Sequence, residues 1–153
     1  MRVLFLDDEK WRVTLYKEMF SEHSLEWVTD PIIFFERARK SFYDILSLDH
    51  DLHLAGSQRI PGTGLFSPSS NNLTGQDAVR GLCEDMGESE GAFIIIHSWN
   101  RIGSEMMLKE FRKVGLEVPH KKFGSNSYFE KIRDVKPSPQ TSVLKRLLSR
   151  VLS

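Results

Sequence analysis

The sequence predicts an α/β fold: a doubly wound, five-stranded parallel sheet with helices on both faces and an extra C-terminal helix. Short, continuously apolar runs such as Val3–Leu6 and Phe93–Ile96 are typical of strands that are buried on both faces. Longer amphipathic stretches separate these runs, which is the strand–helix alternation of a parallel sheet. Because 153 residues fit one core and no internal repeat divides them, we expect a single domain over residues 1–153.

The predicted elements alternate from the first strand to a short helix near residue 135. They are strands at 3–6, 25–28, 44–48, 92–96 and 118–123, and helices at 9–22, from 31, from 75, from 101 to 114 and at 127–135. Trp11, Leu15 and Met19 recur at a spacing of four residues, with Tyr16 and Phe20 beside them, and indicate one face of the first helix. Asp30 and Pro31 indicate the start of the second helix, since aspartate caps helix N-termini and proline fits the first helical position.

Turn and capping residues organise the second half of the chain. Thr74 and Asp77 form the pattern of a capping box that opens the third helix. Gly115 ends the fourth helix, whose apolar side is predicted to carry Ile102, Met106, Phe111 and Val114. Residues 52–73 are rich in Gly, Pro, Ser and Asn and predict a long loop, and loops of this length are often functional. The extra amphipathic helix is expected at about 140–152.

The composition excludes several classes of function. With 21 Lys and Arg against 21 Asp and Glu, the net charge is +0, which gives no bulk attraction to nucleic acid or to an anionic membrane. No apolar run reaches the roughly 18 residues of a membrane span. We expect a cytoplasmic protein, because a single cysteine, Cys83, fits a reducing compartment and the first residues lack a signal-peptide pattern.

Three polar clusters follow the first, third and fourth predicted strands. They are Asp7-Asp8-Glu9, Asp49-His50-Asp51 and His97-Ser98-Trp99-Asn100. Ligands bind at the carboxyl ends of strands in open α/β sheets, and a flavodoxin-like strand order 2-1-3-4-5 makes these three strands neighbours. Carboxylates placed that close repel one another, and a divalent cation that prefers oxygen relieves the repulsion. We therefore expect Mg²⁺ or Mn²⁺ at Asp7, Asp8 and Asp49.

Each cluster also has a plain structural interpretation. Asp8 and Asn100 fit helix N-caps, and Thr74 and Asp77 fit a capping box with no further role. His50 and His97 differ, because each follows a strand beside other polar groups. The coincidence of three clusters at one sheet edge favours a functional site.

Four motifs stand in order between residues 3 and about 115. They are Leu6-Asp7-Asp8-Glu9-Lys10, Ser47 to Leu52, Thr74-Gly75-Gln76-Asp77, and His97-Ser98-Trp99-Asn100 running on to Gly103 and Met107. The first two resemble receiver domains of two-component response regulators. All four together resemble the receiver-derived domains that process cyclic phosphates. The resemblance implies a receiver-like fold, a Mg²⁺ site at Asp7, Asp8 and Asp49, and Asp49 at the phosphoacceptor position.

The clusters and the resemblance together predict a metal-dependent phosphoesterase. Its substrate would be a cyclic nucleotide, a cyclic oligonucleotide or an RNA 2′,3′-cyclic phosphate end. We expect His50 and His97 to be the acid–base pair beside Asp49, so His97→Ala should abolish ring opening without unfolding the protein. The substrate-binding candidates are Asp51, Thr74, Asp77, Ser98, Asn100, Lys121 and Lys122.

Two other functions stay open from the sequence. Asp49 fits the phosphoacceptor of a receiver-type signalling switch, and the same site fits a module that binds a cyclic nucleotide without cleaving it. The expected partner in the hydrolase is a phosphate-containing small molecule or an RNA end. A homodimer is left open.

Overall fold

The helices and strands follow the predicted alternation closely. The computed structural model describes residues 1–52 and 73–137, together with the backbone of 58–59 and 66–67. The strands are β1 (Arg2–Leu6), β2 (Ser24–Val28), β3 (Ile45–Leu48), β4 (Gln58–Arg59), β5 (Phe66–Ser67) and β6 (Phe93–Ile96). The helices are α1 (Lys10–Met19), α2 (Pro31–Lys40), α3 (Gly75–Glu84), α4 (Arg101–Lys113) and α5 (Asn126–Asp134), with a 3₁₀ turn at Gly87–Ser89. The predicted helix at 140–152 and most of the loop 52–73 lie outside the described residues.

A four-stranded parallel sheet forms the centre of the fold. Its order is β2-β1-β3-β6, and Val3 pairs with Ile45, which in turn pairs with Phe93. Counting only these four strands along the chain, the order is 2-1-3-4, as predicted. The short strands β4 and β5 pair antiparallel with each other and form a separate two-stranded sheet. The sheet therefore brings the carboxyl ends of β1, β3 and β6 side by side.

The segment predicted as a fifth strand, 118–123, makes only one parallel bridge, between Ile96 and His120. The Pro119 carbonyl accepts from the Ile96 N–H at 3.0 Å, and Lys121 N–H donates to the Ile96 carbonyl at 3.0 Å. Proline has no N–H to donate, which limits how far a ladder extends through this position. In the described residues the sheet thus has four strands and a single bridge where a fifth was expected.

Two apolar clusters cover the two faces of the sheet. Alternate residues of β1 point to opposite sides, as in any strand: Leu4 and Leu6 join the cluster with α2, α3 and α4, whereas Val3 and Phe5 join the cluster with α1 and α5. Both faces are therefore buried, which explains the continuously apolar strands. No helix in the described part of the chain has the length and apolarity needed to cross a membrane.

The buried face of α4 differs in part from the predicted one, because Phe111 alone among the four predicted residues is buried. Ile102 is 75% exposed, and Met106 and Val114 are also exposed. The residues that face the core are Gly103, Ser104, Met107, Leu108 and Phe111. Small residues at 103 and 104 let the start of this helix approach the end of β3 closely. The predicted face of α1 is also correct only in part, because Tyr16 and Phe20 are buried while Trp11 and Met19 are exposed.

Candidate functional site

Three carboxylates meet where β1 and β3 end. Asp7, Asp8 and Asp49 each offer one oxygen, and these oxygens all lie within 4.8 Å of one another. Asp7 and Asp49 are buried, because they follow neighbouring strands of the central sheet. The structure thus assembles the three aspartates that the sequence selected as metal ligands. Such a concentration of negative charge in a buried place requires a balancing cation.

Arg12, in the first turn of α1, provides one such positive charge. Its Nη1 lies 3.2 Å from Asp7 Oδ2 and 3.0 Å from Asp49 Oδ2, so one guanidinium joins the ends of two strands. The side chain is only 12% exposed. The sequence prediction missed Arg12, because an arginine among the charged residues of a helix is usually a solvent-facing side chain.

His97 lies beneath the carboxylates and is fully buried. Its Nε2 is 2.8 Å from Asp7 Oδ2, and its Nδ1 is 2.7 Å from Ser47 Oγ. Ser47 Oγ is in turn 2.9 Å from the Tyr128 hydroxyl. The imidazole stacks on Phe5 with ring centroids 4.6 Å apart. In this position His97 contacts Asp7 from the core side, and both of its ring nitrogens are engaged.

The surroundings of Asp7 keep it charged. Burial acts to raise the pKa of this carboxyl, but the hydrogen bond and charge of His97, the backbone N–H of Glu9 and the charge of Arg12 together lower it. Glu9 N donates to Asp7 Oδ1 at 2.8 Å. Asp7 therefore presents an ionised carboxylate, which is the form that binds a cation.

A second polar group forms between β3 and α4. Asp51 Oδ1 accepts from Asn100 Nδ2 at 2.9 Å and lies 2.7 Å from His50 Nδ1. Asn100 also caps α4, because its Oδ1 accepts from the Gly103 N–H at 2.9 Å. Asn100 thus acts as the N-cap of α4, as predicted, and its side-chain amide also orients Asp51.

The carboxylates open into a small cleft of about 70 Å³. Its wall is formed by Asp8, Glu9, Arg12, Asp49, Asp51, Ser98, Trp99 and Asn100. Trp99 stands at this wall with 57% of its surface exposed, and its Nε1 donates to the Phe123 carbonyl at 3.0 Å. The cleft therefore combines negative charge, one guanidinium and a fixed aromatic ring.

Comparison with known protein families decides the family of this chain. The model of the cyclic-phosphate processing receiver domain matches residues 2–113. The chain belongs to this family. That match covers the two aspartate-containing clusters that follow β1 and β3, the capping box of α3 and the whole of α4. No curated protein matches the chain at a significant level.

Solved receiver domains share the fold of this cyclic-phosphate processing receiver domain. A CheY-like response regulator receiver domain from Methanospirillum hungatei JF-1 aligns with a TM-score of 0.58 at 14% identity, covering 87% of this chain and 90% of that chain. The receiver domain of the sensor histidine kinase PA1611 from Pseudomonas aeruginosa PAO1, solved with magnesium in its active site cleft, gives 0.58 at 16% identity, covering 86% and 92%. A sensor protein from Polaromonas sp. JS666 gives 0.60 at 14% identity, covering 88% and 94%. At these identities the likeness establishes the fold.

Two glycines of the motifs that the sequence shares with the family let helices pack against the ends of strands. A Cβ added to Gly75 would lie 1.9 Å from the Asp49 carbonyl oxygen, and Gly75 N donates to the His50 carbonyl at 2.9 Å. A Cβ added to Gly103 would lie 2.3 Å from His50 Cγ. Helices α3 and α4 thus approach the 49–50 segment so closely that only glycine fits.

Gly103→Ala should displace the His50 ring from Asp51, because the new methyl group occupies the place of the imidazole. We expect a loss of about 1–3 kcal/mol in unfolding free energy, typical of an overpacked site. The NMR signals of the His50 ring should also change. Gly81→Ala is the matched control, because the atoms nearest to its methyl group belong to the Phe35 ring of α2, at 2.7 Å and beyond, and not to His50. Unchanged His50 signals in Gly103→Ala would contradict this packing.

The remaining predicted residues divide into three groups. Thr74 and Asp77 form the capping box: Thr74 Oγ1 accepts from Gln76 N at 3.2 Å, and Asp77 Oδ2 accepts from Thr74 N at 2.8 Å. Ser98 lies in the cleft wall, where its Oγ accepts from Asn100 N at 3.2 Å. Lys121 and Lys122 follow the bridge beside β6, and neither is among the described residues that line the cleft.

The donor set suits a hard divalent cation. Asp7, Asp8 and Asp49 offer carboxylate oxygens without sulfur or imidazole ligands, as Mg²⁺ and Mn²⁺ prefer. The N-cap position of α1 is Glu9, which makes no side-chain capping bond. Arg12 already brings one positive charge to Asp7 and Asp49.

Proposed function

We propose that this protein is a metal-dependent phosphoesterase that hydrolyses a cyclic phosphate carried by a nucleotide. The observation that carries the proposal is the cluster of Asp7, Asp8 and Asp49, with oxygens within 4.8 Å, facing a cleft that also holds the Asp51 carboxylate. The family to which the chain belongs is described as processing cyclic phosphates, which supports the same reaction class.

Asp7, Asp8 and Asp49 would hold Mg²⁺ or Mn²⁺. Such a cation, when bound, supplies Lewis-acid polarisation of a phosphate oxygen and lowers the pKa of water. The magnesium in the active site cleft of the PA1611 receiver domain supports this choice of ion. The chain's own contribution is to hold these carboxylates in fixed positions. Backbone N–H groups of Glu9 and His50 do so, each donating at 2.8 Å to one carboxylate.

The His50–Asp51 pair is proposed to carry the proton during ring opening. Water adds to phosphorus, one ring P–O bond breaks, and the product is a phosphate monoester with a free hydroxyl. Asp51 lines the cleft and contacts His50 Nδ1 at 2.7 Å, so the proton lost by water passes to this pair and then to the departing oxygen. Asn100 fixes Asp51 through its side-chain amide.

The other predicted groups are proposed to bind or position the substrate. Ser98 lines the cleft and offers a hydroxyl to a phosphate oxygen. Lys121 and Lys122 would add positive charge near the end of β6. Thr74 and Asp77 act through the cap of α3, which starts against the Asp49 carbonyl.

His97 is proposed to be a positioning residue that acts through Asp7. It is fully buried, and its Nε2 contacts Asp7 Oδ2 at 2.8 Å. A histidine bonded in this way fixes the orientation of a carboxylate, much as outer-shell partners of metal ligands do. The sequence predicted His97 as half of the acid–base pair, and the two roles differ in what a conservative substitution would do.

Trp99 supports a nucleotide as the carrier of the phosphate. Its ring is held by the hydrogen bond to Phe123 and stays 57% exposed at the cleft, which suits stacking of a base. Trp99→Ala should therefore weaken binding of 2′,3′-cyclic AMP about tenfold to 100-fold, since base stacking contributes roughly 1–3 kcal/mol. Isothermal titration in Ca²⁺ would measure this. Ile102→Ala removes an exposed apolar side chain that does not line the cleft and is the control. Equal affinities for the two variants would contradict base stacking at Trp99.

A screen of cyclic phosphates tests the proposed activity. Wild-type protein is incubated with 2′,3′-cyclic nucleotides, 3′,5′-cyclic nucleotides, cyclic oligonucleotides and RNA with a 2′,3′-cyclic end, with Mg²⁺, with Mn²⁺ and with EDTA. We expect metal-dependent monoester formation from at least one class. Tight binding with the ligand recovered intact from every class would instead indicate a binding module.

A phosphoacceptor switch is the second candidate, because Asp49 ends β3 in a receiver fold and its carboxylate contacts the cation Arg12 at 3.0 Å. In this function Asp49 would accept a phosphoryl group from a small donor. Incubation with acetyl phosphate followed by intact-mass measurement distinguishes the two. A stable adduct that Asp49→Asn abolishes favours the switch over the hydrolase.

A further inference from the structure

Arg12 competes for the same carboxylates that the proposed cation would use. Its Nη1 contacts Asp7 Oδ2 at 3.2 Å and Asp49 Oδ2 at 3.0 Å. Asp7 Oδ2 also accepts from the buried His97, while the other oxygens of the two carboxylates accept from Glu9 N and His50 N. Backbone groups and a buried imidazole have no room to withdraw, whereas Arg12 is a long side chain in the cleft wall.

The surroundings of Arg12 also suit it to bind an anion. Its Cζ lies 5.5 Å from the centroid of the Trp11 ring and 5.6 Å from that of Trp99, so aromatic faces support the guanidinium plane. Its Nε is buried and has no hydrogen-bond acceptor among the described residues. A guanidinium with unused N–H donors is suited to bidentate binding of phosphate.

We propose that Arg12 is the resident counter-ion of the three-aspartate centre, that a divalent cation displaces it, and that the displaced guanidinium then binds the phosphate of the substrate. The role rests on the proposed function, since it requires a divalent cation at Asp7, Asp8 and Asp49. It makes phosphate binding depend on the metal: the guanidinium is tied to carboxylates until the cation neutralises them. Arg12 is thus a substrate-binding residue that the metal releases.

The first measurement is the affinity for Mn²⁺, which is determined from the EPR signal of free Mn²⁺. Arg12→Met should bind Mn²⁺ about tenfold more tightly than wild type, because a competing positive charge is removed at close range. Arg80→Met is the matched control: it removes an exposed arginine of α3 whose Nη1 lies 4.0 Å from Asp77 Oδ1. Its Mn²⁺ affinity should equal that of wild type. Arg12→Gln provides a second neutral variant if Arg12→Met does not fold.

The second measurement is binding of inorganic phosphate by isothermal titration, with and without Mg²⁺. Wild type should bind phosphate only with Mg²⁺, and Arg12→Met should lose at least tenfold in that affinity. Arg12→Lys should restore part of it. Phosphate affinity that is unchanged in Arg12→Met overturns the anion-binding role.

The Mn²⁺ result separates this role from the proposed function. Equal Mn²⁺ affinity in wild type and Arg12→Met overturns the displacement of Arg12 while leaving the metal site intact. Failure of both proteins to bind Mn²⁺ overturns the displacement and the metal-dependent function together. Binding only by the Arg12 variant also overturns the displacement, because the ion then fails to displace Arg12 in the wild-type protein.

Discussion

Asp49→Asn should reduce cyclic-phosphate hydrolysis on the order of 10³-fold, because a metal site loses one of its charges and Lewis-acid catalysis is worth several kcal/mol. Mn²⁺ affinity should fall as well. The fold should persist. The His50 N–H donates to Asp49 Oδ1 at 2.8 Å, and the side-chain oxygen of an asparagine accepts the same hydrogen bond. Turnover and thermal unfolding of the same preparation measure both effects.

Asp44→Asn is the matched control for this substitution. Asp44 stands at the opposite end of β3, where its Oδ2 accepts from the Arg2 N–H at 2.8 Å. The same change of charge there should leave Mn²⁺ affinity and turnover at the wild-type level. An Asp49→Asn protein that hydrolyses cyclic phosphates as fast as Asp44→Asn would contradict the placement of Asp49 at the reacting centre.

His97→Ala should destabilise the protein by about 3–5 kcal/mol, because it leaves a cavity and removes a partner of a buried carboxylate. The ring contacts Phe5, Ser47 and Asp7 in the core. This differs from the sequence-based expectation that the variant keeps its fold, since burial was not visible in the sequence. Denaturant unfolding measures the loss, and His120→Ala, which removes one hydrogen bond to the Ser98 carbonyl, should lose only about 1 kcal/mol.

His97→Gln separates positioning from acid–base chemistry. Glutamine retains an amide N–H that can donate to Asp7, so a positioning role predicts reduced but measurable turnover with the shape of the pH–rate profile unchanged. An acid–base role predicts loss of turnover and loss of one limb of the profile. His50→Gln should show that second pattern. The opposite assignment of the two patterns would contradict the proposed roles.

The carboxylate cluster was predictable because it depends on topology. Strand ends of a parallel sheet share one edge, so the positions of Asp7 and Asp49 follow from the apolar runs before them. The capping box of Thr74 and the N-cap of Asn100 were also predictable, since both depend on local spacing. Predicting these features does not require knowing which side chains contact each other in the folded protein.

The features that were missed depend on how closely elements pack. Ile102 and Met106 are more apolar than Gly103 and Ser104, so periodicity favours the wrong face of α4. Only the close approach of Gly103 to the His50 ring explains why small residues face inward. Arg12 was missed for a related reason. A charged residue is common in a helix, and only the folded structure shows that the ends of two strands bring carboxylates to this one.

The most direct test is ³¹P NMR of 2′,3′-cyclic AMP, or whichever substrate the screen selects, in the presence of the protein. The spectra are recorded first with Mn²⁺, at a low concentration because the ion is paramagnetic, and then with Mg²⁺. We predict that the cyclic phosphate signal is replaced by that of a monoester, that EDTA stops the conversion and that Asp49→Asn does not perform it. A cyclic phosphate that stays intact in every condition, alongside an Asp49-dependent phospho-adduct from acetyl phosphate, would contradict the hydrolase and establish the switch.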